Sequence, residues 1–106
     1  MKYQYAKNRI QDAIDELCVG TGDVRSRLLE VNDLTSSLLP IHFPEELLEK
    51  WNNIQKKLSK YGPRLNFEGK PVEGAITHTL SRIKNKTGSE IANDLLALNK
   101  EFQSKY

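Results

Sequence analysis

The 106 residues are 38% hydrophobic and 28% charged, with 16 basic and 14 acidic side chains for a net charge of +2, the profile of one ordinary globular domain spanning 1–106. No apolar run approaches the roughly 18 residues that cross a bilayer, and the start MKYQYAKNRI lacks the apolar stretch of a secretory signal, so a cytoplasmic protein without a membrane partner is expected. One cysteine, Cys18, and two histidines, His42 and His78, are too few for an internal disulfide or the usual zinc frameworks.

Stability must then come from an apolar core. The chain carries 14 Leu, 7 Ile, 4 Val, 3 Phe and 1 Trp, and at roughly 1.5 to 3 kcal/mol per buried side chain this is enough to offset the conformational entropy of folding.

Tyr3, Ala6, Ile10, Ala13, Ile14 and Leu17 repeat at the three-and-four spacing of an amphipathic helix over about 3–19. Gly20 can supply a left-handed residue to end it, and Asp23 can cap the next helix, so GTGD reads as an interhelical turn. Val24, Leu28, Val31, Leu34 and Leu38 mark a second helix over about 23–38, which must stop before Pro40. Pro44 suits a first helical position, and Leu47, Trp51, Ile54, Leu58 and Tyr61 step by four and three through a third helix over about 44–61.

From Gly62 to Gly74 the glycine and proline punctuation predicts a loop, with Leu65 and Phe67 expected to pin it to the bundle. Val72, Ile76, Leu80 and Ile83 mark a helix over about 71–86, and Ile91, Leu95, Leu98 and Phe102 mark another over about 88–104. Thr87-Gly-Ser-Glu90 fits a capping box that would separate the two. The apolar stripe nevertheless keeps helical phase through Gly88, and one interior glycine costs only about 1 kcal/mol, so one continuous helix is the alternative. No β alternation and no internal repeat compete. The expected fold is all-α, a compact bundle of four to five helices.

Charge is distributed unevenly. Residues 1–49 carry five basic and nine acidic side chains, net −4, and residues 50–106 carry eleven and five, net +6. The third helix begins with Glu45, Glu46 and Glu49 and ends with Lys56, Lys57 and Lys60, as the helix dipole favours. With Arg64, Lys70, Arg82, Lys84 and Lys86 these lysines would form a phosphate-binding face if the end of the third helix lies beside residues 82–86. Solvated helix ends are the simpler account of the same residues. A pI near 8.7, and the lack of a recognition-helix, RNP or GXXG pattern, also make nucleic acid the second choice of partner.

The first helix opposes the dipole, with Lys2, Lys7 and Arg9 early and Asp12, Asp15 and Glu16 late. Those carboxylates share one flank beside Asp23, where a basic partner or the chain's own third helix would complement them. As a divalent-metal site they lack a converging loop, and no cofactor motif is present. Gly20 and Gly22 lack the Lys-Ser/Thr of a phosphate loop. Cys18 falls on the apolar side of its helix, where a thiol is inert. His78 lies off the apolar stripe and should be solvated, while His42 in its connector can bond a helix end. No nucleophile elbow or HExxH motif appears, so a non-enzymatic protein is expected.

Leucine doublets at 28–29, 38–39, 47–48 and 95–96 place a second leucine about 100° around each helix. If Leu29, Leu48 and Leu96 share one surface they would take a protein partner or a second copy of the chain. Protein recognition is therefore the leading expectation, with nucleic-acid binding as the alternative.

The stretch Gly20-Thr-Gly-Asp-Val-Arg-Ser-Arg-Leu28, with Arg82-Ile-Lys-Asn-Lys-Thr-Gly88 and Ile91-Ala92, resembles short bacterial proteins without an assigned activity. The resemblance implies a bacterial, cytoplasmic setting and no mechanism. On spacing alone, Asp23 and Arg27 form an i, i+4 pair, leaving Arg25 without a role.

Overall fold

A computed structural model describes residues 2–106. It is an all-α helical bundle of α1 (Gln4–Val19), α2 (Val24–Thr35), α3 (Glu45–Leu58), α4 (Ala75–Arg82) and α5 (Asn85–Lys105), with a 3-10 turn at Pro40–His42 and one short hairpin, β1 (Arg64–Leu65) and β2 (Pro71–Glu73). The molecule is elongated, 47 × 27 × 17 Å. Helix α5 is the axis, packing against α1, α2 and α3, while α4 packs against α2 and α3.

Each amphipathic stripe turns inward as its spacing requires. Ile10 of α1, Leu28 of α2, Leu47 and Leu58 of α3, and Ile91, Leu95, Leu98 and Phe102 of α5 are almost completely buried. At roughly 1.5 to 3 kcal/mol each, they supply the main favourable contribution to folding. At one end, Phe43 stacks on Trp51 with ring centroids 5.3 Å apart and meets Phe102 at 6.0 Å. Tyr106 then closes this end, its edge against Phe102 and its hydroxyl donating to Glu46 Oε1 at 2.7 Å.

The boundary between α4 and α5 differs from both sequence expectations. The helix expected over 71–86 begins only at Ala75, because 71–73 belong to the hairpin, and it ends at Arg82. Ile83 and Lys84 are both extended, with ψ of 158° and 162°. Thr87 is therefore not a cap. Thr87 and Gly88 lie inside the first turn of α5, whose N-cap is Lys84 with no side-chain cap bond. Neither glycine nor proline marks this break. A tertiary contact holds it, because Arg25 Nη1 donates to the Ile83 carbonyl at 3.0 Å and the Ile83 side chain is buried.

Gly88 serves packing. A Cβ built on it would stand 2.8 Å from Val24 Cγ1, so its absence lets α5 approach the start of α2. At the first turn, Gly20 is extended rather than left-handed (ψ 154°), and Gly22 takes the positive φ of 84°. Asp23 caps α2 as expected, accepting from the Arg25 and Ser26 amides at 3.0 and 3.2 Å. Helix α2 ends at Thr35, before the expected 38, where Thr35 Oγ1 donates back to the Val31 carbonyl at 2.8 Å. Pro44 sits at the N-cap of α3, one position before the one expected.

The segment after α3 holds an antiparallel hairpin, although no strand was expected. Arg64 pairs with Glu73 and Leu65 with Pro71. Leu65 and Phe67 do not pin it to the bundle: Leu65 is half exposed and Phe67 is 99% exposed at the tip.

Candidate functional site

The end of α3 lies beside the α4–α5 junction, the juxtaposition on which the phosphate-binding reading depended. Lys57, Lys60 and Tyr61 from α3 and its exit face Arg82, Lys84 and Thr87 across a groove of about 420 Å³, with Ile83, Glu90 and Ile91 completing its walls. The Tyr61 ring organises its rim, with the Arg82 guanidinium carbon 4.9 Å and Lys60 Nζ 5.5 Å from the ring centroid, a cation–π arrangement that holds both charges near the opening. The Tyr61 amide donates to Thr79 Oγ1 at 3.1 Å, fixing the chain exit against α4.

Among the described residues, Lys57 pairs with Asp94 at 2.6 Å and Arg64 with Glu73 at 3.8 Å. Lys56, Lys60, Arg82, Lys84 and Lys86 have no ion pair there. Lys84 and Lys86 also stand at the start of α5, where the helix dipole opposes a cation by a few tenths of a kcal/mol each. A helix ending at 86 would have placed them where the dipole favours them. The break at Ile83 therefore leaves Lys84 and Lys86 electrostatically opposed by the helix they begin.

The charged residues of the GTGD turn and the start of α2 have a different use. Arg25 bonds Asp23 Oδ2 through Nη2 and Nε at 2.9 and 3.3 Å while reaching the Ile83 carbonyl. Its hydrogen bond, followed by the Ser26 amide, holds the Asp23 carboxyl below its ordinary value against the opposing effect of burial. Arg27 does not pair with Asp23. It donates to the Leu17 and Gly22 carbonyls at 2.9 and 3.2 Å, satisfying the end of α1 and the turn. These side chains join the GTGD turn to the 82–88 segment and leave little for a ligand.

Asp12, Asp15 and Glu16 remain on one flank of α1. Asp12 lies 3.9 Å from Arg9, and Asp15 accepts from Gln11 at 3.0 Å. No ion pair joins these carboxylates to α3 among the described residues, because α1 packs against α2 and α5. No group of three or more metal-ligating side chains is found among the described residues. Cys18 is exposed, not on the buried side as its spacing suggested. His78 is half-buried rather than solvated, its Nδ1–H donating to the Gly62 carbonyl at 2.9 Å. His42 Nδ1 accepts from the Leu39 amide at 2.9 Å and so closes the 3-10 turn.

Of the leucine flanks, Leu29 and Leu48 are half-buried and packed onto the core, and Leu96 is 40% exposed. No described helix is long and apolar enough to cross a membrane. Elsewhere, Lys50 lowers the proton affinity of Glu101 by bonding it, against burial, and the Glu46 carboxylate pushes the Tyr106 hydroxyl up to about 12.

The fold and groove define an all-α bundle with a basic cleft at a helix junction. None of the family models, curated proteins or solved structures compared with the chain matches it.

Proposed function

We propose that this protein is a non-catalytic binding module whose ligand is nucleic acid, held by its phosphates in the groove between the end of α3 and the α4–α5 junction. The supporting observation is the gathering of Lys57, Lys60, Arg82 and Lys84 round one cleft, three of them without a carboxylate partner among the described residues. Phosphate contacts of this kind release condensed counterions, so affinity should fall steeply with salt. With three or four contacts, affinity for a single strand should drop about 20- to 50-fold between 50 and 200 mM salt. Fluorescence anisotropy with labelled oligonucleotides measures this, and a lack of binding at about 50 mM salt refutes the reading.

A second reading, recognition of a protein partner or second copy by the leucine flanks, is favoured by Leu96, which is exposed beside Ala97, itself a lining residue of a groove of about 240 Å³ between α3 and α5. Sedimentation velocity distinguishes it: a dimer that Leu96→Lys splits would support this reading and not the first.

A further inference from the structure

Burying a phenylalanine ring is among the larger gains available to a folding chain, yet Phe67 is 99% exposed. It is not a loose side chain on a slack loop. The Gly69 amide donates to the Asn66 carbonyl at 2.9 Å, closing a four-residue turn with Asn first and Gly last, and Gly69 takes a φ of +80°. Asn66 Oδ1 accepts from the Glu68 and Lys70 amides at 2.9 and 3.0 Å. With the Asn66 amide donating to the Lys70 carbonyl at 2.9 Å, four hydrogen bonds tie the turn that carries the exposed ring. The foot of the hairpin is equally fixed, by the Tyr61 amide on Thr79 and by His78 on the Gly62 carbonyl. Since Tyr61 borders the basic groove and β1 opens at Arg64, the hairpin begins three residues from the rim of that groove.

We infer that the β1–β2 hairpin is a stacking finger for single-stranded nucleic acid, with Phe67 taking one unpaired base while the groove holds the adjoining phosphates. The inference rests on the nucleic-acid reading above and narrows its ligand. Phe67 is flanked by Glu68 and, beyond Gly69, by Lys70, and the apolar neighbours on the strands are the exposed Leu65, Pro71 and Val72. A two-stranded hairpin of this size offers an apolar patch far smaller than the several hundred Å² typical of a protein interface. Phe67 suits a base, whose π-face stacks on an aromatic ring irrespective of sequence. The hairpin's own charges cancel, Arg64 and Lys70 against Glu68 and Glu73, so it can contribute stacking while the groove contributes the charge. A duplex keeps its bases stacked inside and offers the ring no free face.

The test compares Phe67→Ala, Phe67→Trp and Lys84→Glu by anisotropy on labelled 20-mers of thymidine, of uridine and of a mixed duplex at about 50 mM salt. The expected result is that Phe67→Ala weakens both single strands roughly tenfold or more with the salt slope unchanged, Phe67→Trp keeps the affinity, and the duplex is insensitive to either. Because the side chain touches nothing that holds the fold, the melting temperature should not move. Equal single-strand affinity in Phe67→Ala and wild type, with Lys84→Glu impaired, sinks the finger and spares the groove. Insensitivity to Lys84→Glu, or no binding by the wild type, sinks both. A wild-type dimer that Phe67→Ala dissociates would give the tip to a second copy and overturn the inference.

Discussion

The GTGD turn and the basic groove meet at the α4–α5 junction and use charge in opposite ways. At the turn, Asp23, Arg25 and Arg27 are consumed by the fold, each bonded to a backbone group or to one another. Across the junction, Lys60, Arg82 and Lys84 border a cleft without a carboxylate partner among the described residues. Ile83 belongs to both regions, its carbonyl accepting from Arg25 and its side chain walling the groove. The lesson is that the charges of the turn build the junction, while the cations beside it are left without a carboxylate partner among the described residues.

This contrast can be broken from either side. The largest effect should come from Gly88→Ala, whose new methyl meets Val24 at 2.8 Å. Overpacking there should cost about 1 to 3 kcal/mol, read by urea denaturation, and should also weaken nucleic-acid binding by displacing Lys84. An unchanged midpoint would show that α2 and α5 can separate without loss. Next, Arg25→Ala should lower stability by about 1 kcal/mol through the lost bond to Ile83 while removing no groove cation. If it leaves stability untouched, the break at Ile83 does not depend on that bond.

Lys84→Glu sharpens the comparison because its two effects have opposite signs. It should lower single-strand affinity at least tenfold while raising the melting temperature slightly, since a carboxylate at the start of α5 gains a few tenths of a kcal/mol from the dipole. Loss of both binding and stability would mark Lys84 as structural instead. The smallest effect concerns pH. The carboxyl of Asp23 is held below the ordinary 3.8, so its contribution is present above that value and is lost as pH falls through the lowered one. Asp23→Asn keeps a cap acceptor but no charge, and its stability should be flatter than wild type on that acid limb. Parallel acid limbs in thermal melts at successive pH values would refute the coupling.

Local pattern carried much of this outcome. The cap at Asp23 was legible because a carboxylate before an apolar stripe has one cheap use, and the α3 stripe because four-and-three spacing buries one face whatever lies opposite. The hairpin was missed because its strands are two and three residues long with no buried face. Cys18 was misplaced because at the last turn of α1 the stripe narrows to Leu17, which packs on the core, and leaves position 18 exposed. The lysines of the groove were all visible in the sequence, but the break that brings Lys84 and Lys86 to the start of a helix was not.

By itself, then, the sequence determined the all-α class, the stripes of α1, α2, α3 and α5 and the cap of α2, since each depends on residues within a few positions of one another. The tertiary structure alone decided where α4 ends, why residue 88 is glycine, what Arg25 does and which cations share a cleft. Those outcomes depend on contacts such as Arg25 to Ile83 and Val24 to Gly88, between side chains and backbone far apart in the chain, and periodicity carries no record of such pairs.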